Sequence, residues 1–222
     1  MEVVKGINIT NEDNMQLMAR YPDNFFELAI VDPPYGLDFA KYNRVSTSSN
    51  GEKYISNNYK KGDWDKSVPN EEYFKELFRV SKNQIVWGGN YFPFIWSYGG
   101  KGFIYWHKGN PVPNFADGEL AWTSFNKVAK QFNFRYYGNL EGNTSSSKKH
   151  HPTQKPIQLY NWLLDNYAKE GDKILDTHLG SGSIAIACFE RGFELTACEL
   201  DEEYFNSSIK RIKENTIQKS LF

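Results

Sequence analysis

Several residue types that decide a chain's class are scarce here. Cysteine occurs twice in 222 residues, at Cys188 and Cys198. Both sit in apolar stretches that read as a helix and a strand, so buried thiols in a reducing compartment are expected rather than a disulfide scaffold. Histidine occurs four times. The one adjacent pair, His150-His151, has no cysteine or acid at ligand spacing, which speaks against a metal site. Charge of one sign is also missing: 26 Lys and Arg stand against 27 Asp and Glu, a formal net charge of −1. No global basic surface therefore announces a polyanionic partner, and such contacts must come from local clusters. No apolar run approaches membrane-spanning length, and the N-terminus lacks a basic region leading into an apolar one. A cytoplasmic protein without membrane contact is expected. There is no internal repeat and no Gly-Lys-Ser/Thr phosphate loop.

Aromatic residues, by contrast, make up 16% of the chain, more than packing usually needs, which permits a surface that stacks on flat ligands. The length fits one globular domain over 1–222. Glu27 to Asp32 is a short apolar run stopped by Pro-Pro and reads as a buried strand. Asp13 to Arg20 reads as a short helix after an N-terminal strand. Residues 37–69 are rich in Ser, Asn, Lys and Gly and read as a long mobile loop, with Lys41, Arg44, Lys53, Lys60, Lys61 and Lys66 scattered through it. Asn70 caps a helix to Val80, Gln84 to Trp87 and Gly102 to Trp106 read as strands, and 109–149 reads as a small insertion. Regular alternation returns with a helix over Pro156 to Ala168, a strand over Lys173 to Asp176, a helix over Gly182 to Arg191, a strand over Phe193 to Glu199 and a closing helix from Asp201. That order predicts an α/β fold with a mostly parallel sheet.

Three constellations carry chemistry. The first is Asp32-Pro33-Pro34-Tyr35-Gly36, just past a buried strand, where open α/β sheets bind ligands. A given tetrapeptide occurs by chance in about one in a thousand chains of this length, at residue frequencies of roughly one in twenty. An exocyclic amine on a base is a poor nucleophile because its lone pair is delocalised into the ring. The Asp32 carboxylate and the Pro33 carbonyl can each accept one amino hydrogen, which turns the lone pair toward an electrophile. The prolines preorganise both acceptors, and Tyr35 offers a flat face to an extruded base. For the bare tetrapeptide, a Pro-Pro turn with an incidental Asp cap weighs about as much. The second is Asp176-Thr177-His178-Leu179-Gly180-Ser181-Gly182-Ser183, a strand-to-helix loop whose glycines allow close backbone approach. Glu199, at the end of the next strand, is placed to hold the two hydroxyls of a ribose. Without the full Gly-x-Gly-x-x-Gly spacing, a nucleoside lacking phosphates is favoured over a pyrophosphate. The third is His150 to Pro156, where Lys155 stands before a helix and can face an anionic group.

In combination and order, these motifs resemble the DNA amino-methyltransferases of the beta permutation group, which act on adenine N6 or cytosine N4. The resemblance runs from about Asn8 to the closing helix and is weak between Gly109 and Lys149. It implies a Rossmann-like S-adenosylmethionine-dependent fold with circularly permuted motif order, helices on both faces of the sheet, and the strands carrying Asp32 and Asp176 side by side. It implies catalytic roles for Asp32, Pro33, Pro34 and Tyr35. It implies cofactor contacts from Asp13, Asp32, Thr153, Lys155, Asp176, His178, Gly180, Ser181, Gly182, Ser183, Glu199 and Leu200. Thr177-His178 departs from the family's frequent Pro-Phe. Asp32 favours adenine over cytosine, and neither cysteine follows a proline as a C5-methylating nucleophile would. Double-stranded DNA is the implied partner, contacted by the 37–69 loop and by a target-recognition insertion at 109–149 that holds Asn110, Asn114 and Arg135. A homodimer and a separate cognate endonuclease are compatible with the pattern. Cytosine N4 or RNA methylation, and a non-catalytic nucleoside-binding subunit, stay open as alternatives.

Overall fold

The computed structural model describes residues 1–37, 45–47, 53–55, 68–110, 116–137, 140–141, 144–145 and 154–217. The first half of the chain runs through β1 (Glu2–Val4), β2 (Ile7–Asn11), α1 (Asn14–Met18), β3 (Phe26–Val31), β4 (Val45–Thr47), β5 (Lys53–Ile55), α2 (Glu71–Val80), β6 (Ser81–Trp87) and β7 (Phe103–His107). The second half adds β8 (Gly118–Thr123), β9 (Lys130–Asn133), β10 (Tyr136–Tyr137), β11 (Leu140–Glu141), β12 (Thr144–Ser145), α3 (Ile157–Tyr167), β13 (Lys173–Asp176), α4 (Ser183–Arg191), β14 (Glu194–Glu199) and α5 (Glu202–Ile217).

Nine strands form one sheet in the order β1-β2-β14-β13-β3-β6-β8-β7-β9. The five central strands, β2-β14-β13-β3-β6, pair in parallel throughout. Their side chains split by the two-residue period of a strand. Leu28, Ile30 and Ile174 join one core with Leu159 and Leu163 of α3, Ile184 of α4 and Ile212 of α5. Ala29, Val31 and Leu175 join a second core with Leu17 of α1 and Phe74 and Leu77 of α2. Helices therefore cover both faces, which is why the central strands read as unbroken apolar runs.

The strands that precede Asp32 and end in Asp176 are neighbours, as expected, with Leu28 opposite Ile174 and Ala29 opposite Leu175. From β3 the chain crosses through α2 to β6, and from β13 it crosses through α4 to β14 on the opposite side. The two connections leave in opposite directions, so a crevice opens between the carboxyl ends of β3 and β13.

The 109–149 segment departs from the expected insertion. Its β8 and β9 are strands of the central sheet, with β8 antiparallel to both β6 and β7. Ala121, Trp122 and Thr123 are buried there. Flanking Gly, Pro and Asn, and a glutamate inside the strand, hide the apolar pattern. Of the loop expected over 37–69, β4 and β5 form a short antiparallel ribbon. Lys41, Arg44, Lys60, Lys61, Lys66, Asn114, Lys148, Lys149, His150, His151 and Thr153 lie outside the described residues.

Gly88 ends β6 with φ at 70°, and a Cβ there would fall 2.1 Å from the Tyr35 ring. Gly88→Ala is expected to destabilise the protein by about 2–3 kcal/mol in urea titrations, through steric overlap and left-handed strain. In a Tyr35→Ala background the same change should cost only about 1 kcal/mol, because the strain alone remains.

Candidate active site

The chain leaves β3 at Asp32, and Pro33 and Pro34 turn it over the end of β6. The Tyr35 hydroxyl donates to Asp32 Oδ1 at 2.5 Å. Burial, and then the Asp32 charge, push the Tyr35 pKa far up, so the hydroxyl stays a donor. The Tyr35 ring stacks on Tyr91 at 4.8 Å with planes 14° apart, and the edge of Phe92 lies against it.

The other Asp32 oxygen, Oδ2, accepts from the Lys155 ammonium. Lys155 is 3% exposed. Its Nζ also lies 3.1 Å from Glu119 Oε2, 5.4 Å from the centre of the Trp87 ring and 5.8 Å from that of Tyr35. Glu119 in turn pairs with Lys108 through Oε1. Four charges thus alternate in a row: Lys108, Glu119, Lys155, Asp32. Burial opposes each buried charge, but the neighbours decide the sign for two of them. Glu119 is held down at about 2 by Lys155 and Lys108 against its burial, and Lys155 is raised by Asp32 and Glu119 against its own. Asp32 is raised, because burial and Glu119 outweigh the pull of Lys155.

On the other side of the crevice, β13 delivers Asp176, Thr177 and His178. Asp176 Oδ1 accepts the His178 backbone N–H at 3.0 Å, and burial pushes this carboxyl up to about 8. The His178 ring lies 3.1 Å from Asn14 Nδ2 through Nε2 and 2.9 Å from Thr177 Oγ1 through Nδ1, and Thr177 Oγ1 meets the Tyr73 hydroxyl at 2.7 Å. A neutral ring that accepts at Nε2 and donates from Nδ1 suits both contacts, and burial lowers His178 to about 4. The Tyr73 ring meets it edge-on at 5.3 Å. The imidazole is therefore locked by hydrogen bonds.

Glu199 ends β14. Its Oε2 accepts from Gly180 N at 2.9 Å and its Oε1 from Asp201 N at 3.0 Å. These bonds fix the carboxylate and leave each oxygen a lone pair for a further donor, the arrangement a vicinal diol needs. Behind the loop, Ser183 Oγ donates to the Lys155 carbonyl at 2.7 Å. The buried Arg211 of α5 donates to Ser181 O at 2.7 Å and to Ser183 Oγ at 3.0 Å.

A cavity of about 560 Å³ joins both halves, and Asp13, Asp32, Pro33, Pro34, Tyr35, Lys155, His178, Gly180, Ser181, Glu199 and Leu200 all line it. Asp176, Gly182 and Ser183 do not line it. Asp176 lies beneath the loop, and Ser183 supports the Lys155 backbone instead. Gly182 has φ at 75° and packs on Ile212, where a Cβ would approach to 2.9 Å. The Asp13 carboxylate caps α1 through Met15 N and Gln16 N. Lys155 was expected to face an anionic ligand, yet its ammonium is taken by two carboxylates. Sequence reading missed Asn14, Tyr73, Lys108, Glu119 and Arg211. Of these only Glu119 left a signal, as a lone acid within an apolar strand.

Comparison with known proteins supplies an independent line. A family model described as DNA methylase matches residues 86–210, more than half of the chain. The type II methyltransferase M2.DpnII of Streptococcus pneumoniae is 25% identical over 245 residues, spanning 92% of this chain and 89% of its own. Among solved structures, the M1.HpyAVI–SAM complex superposes with a TM-score of 0.60 at 21% identity, covering 92% of this chain and 99% of that one. PvuII DNA methyltransferase, cytosine-N4-specific, superposes at 0.56 with 12% identity, covering 96% and 94%. These structural likenesses establish the fold.

The raised Asp176 sets a pH dependence. Its folded value of about 8 lies above the unfolded value of about 3.9. The folded state therefore binds the extra proton, and this contribution is full below about pH 4 and lost as pH rises through about 8. Urea titrations from pH 4 to 9 should show Asp176→Asn gaining stability relative to the unsubstituted protein as pH rises. A constant difference across that range would reject the buried neutral carboxyl.

Proposed function

Because the chain belongs to the DNA methylase family, we propose that it transfers a methyl group from S-adenosylmethionine to N6 of an adenine flipped out of double-stranded DNA. The observation that carries this reading is that the Asp32–Tyr35 turn and the Gly180–Glu199 pair open into one cavity from adjacent strands.

The cavity suits the methyl donor on three counts. Its volume, about 560 Å³, falls within the range of small-molecule sites. Glu199 has two lone pairs left for ribose hydroxyls. Glu12, Asp13, Asp32 and Glu199 line it together, an acidic wall that favours a cation over a phosphate. When bound, the donor supplies an electrophilic methyl carbon on a sulfonium. The chain's own residues do the rest. Asp32 and the Pro33 carbonyl accept the two amino hydrogens and turn the nitrogen lone pair toward that carbon. Tyr35 gives the base a flat wall, and its hydroxyl, bonded to Asp32, fixes the carboxylate plane. No covalent enzyme intermediate is needed.

Asp32 favours adenine by its resemblance to the adenine-acting members. Residues 37–69 and the parts of 109–149 outside β8 and β9 are assigned to DNA contact and target recognition, where lysines meet phosphates. A homodimer and a separate cognate endonuclease are compatible with the same reading.

Incubation with labelled donor and mixed-sequence DNA, followed by nucleoside analysis, is expected to give N6-methyladenine. Label on cytosine, or on RNA alone, would overturn the substrate. Asp32→Ala should lower turnover by at least about 100-fold while calorimetry still detects donor binding. Glu199→Ala should weaken donor binding by about 10- to 100-fold, the worth of lost charge-assisted hydrogen bonds.

A further inference from the structure

We propose that Glu119 is a positioning residue of the transfer site: it anchors the Lys155 ammonium, and Lys155 in turn holds the Asp32 carboxylate in place at the cavity wall. The inference rests on the methyl-transfer reading above and adds a residue that contacts neither donor nor base.

The geometry is a chain of four charges that runs from the partly buried Lys108 to Asp32 at the cavity. Lys108 keeps 19% of its side-chain exposure and Glu119 24%, whereas Lys155 keeps 2% and Asp32 17%. An isolated ammonium as deep as Lys155 would shed its proton, as buried lysines do. A lone buried carboxylate at Asp32 would take one up. Left to each other, the two could cancel by passing a single proton from Nζ to Oδ2, which would leave a neutral amine facing a neutral carboxyl. That pair cannot fix the carboxylate by charge, and its acid oxygen is a weaker acceptor for an amino hydrogen. A second carboxylate on Lys155 breaks the symmetry, because the ammonium then serves two anions and is costly to discharge. Glu119 supplies that carboxylate from β8, and Lys108 keeps it ionised in turn.

Among the described residues, the charged and titratable groups that face the Lys155 ammonium fit this account. Asp32 after β3 and Glu119 on β8 touch its ammonium. Tyr35 lies 3.4 Å from Nζ through its hydroxyl. Asp176 on β13 acts on Lys155 at longer range and is largely neutral below about pH 8. Tyr160 on α3 is protonated, its pKa driven far up by burial. Glu119 is thus the only neighbour besides Asp32, among the described residues, that supplies a full negative charge at contact distance. Neither neighbouring tyrosine can replace it. The Lys155 backbone is held independently, by Ser183, so loss of Glu119 frees the side chain without releasing the segment.

The test compares Glu119→Gln with the unsubstituted full chain in two measurements. The first needs no turnover: nitrogen NMR of lysine-labelled protein follows the titration of Lys155 Nζ, assigned with Lys155→Arg. Removing one of two anions is expected to move that titration to lower pH, and an unmoved titration overturns the inference. The second is the pH profile of methyl transfer. Glu119→Gln should lower kcat by about 10- to 100-fold, the scale of a misplaced catalytic group. It should bring the alkaline limb to lower pH and leave the Kd for the donor within about twofold. A lowered kcat with an unshifted alkaline limb would mark a merely structural role and overturns it. If Glu119→Gln does not fold, Glu119→Asp keeps the charge on a shorter arm and should show the same split at smaller size. If the unsubstituted protein methylates no nucleic acid while Lys155 still titrates as expected, the functional reading fails and the anchoring contact stands without a catalytic role.

Discussion

The Lys155 ammonium cannot be charged where it lies without partners, and the arrangement around it follows from supplying them. β3 brings Asp32 to one side and β8 brings Glu119 to the other. α4 fixes the Lys155 carbonyl through Ser183, and α5 fixes Ser183 through Arg211. The parallel pairing of β3 with β13 sets the Asp32–Tyr35 turn beside the loop that faces Glu199. A buried ion pair of this kind is weak evidence for stability, since desolvation can outweigh the attraction. What it gives is a fixed direction for the Asp32 carboxylate.

The cavity and the remainder of the molecule divide the electrostatic work. Overall the chain is nearly neutral, yet the cavity wall carries four acids. A cationic ligand is therefore favoured locally, by the acids of the cavity rather than by the net charge of the chain. His178, kept neutral by burial, adds shape to the pocket without adding charge to it.

Much of this was legible in the sequence, for physical reasons. The α/β order, the two motif loops and the Asn70 cap are local signals: an apolar run, a proline stop, a small polar residue before a helix. The observed β13 coincides with its expected span, and β3 and β14 begin within a residue of theirs. Failure began where a signal is non-local. β8 and β9 look like part of an insertion because Gly, Pro and Asn surround them, and only their partners β6 and β7 make them strands of the sheet. Asn14 and Arg211 gave no sign of their roles, since each acts on a residue more than 25 positions away. Lys155 lines the cavity, but its partners are Asp32 and Glu119 where an anionic ligand was expected, because nothing local tells an ammonium whether its anion will be a ligand or the protein.

That distance has a kinetic side. Lys155 meets Asp32 across 123 positions, and Asn14 meets His178 across 164. Closing such loops is slow relative to local helix formation. A partly folded chain can hold α2, α3 and α4 and still have no site. The charged chain from Lys108 to Asp32 closes only when β8 is docked against β6, so competence requires the non-local strand pairing as well as the local helices. A nascent or damaged molecule is thereby silent, and the ability to modify a base reports that the whole sheet is in place.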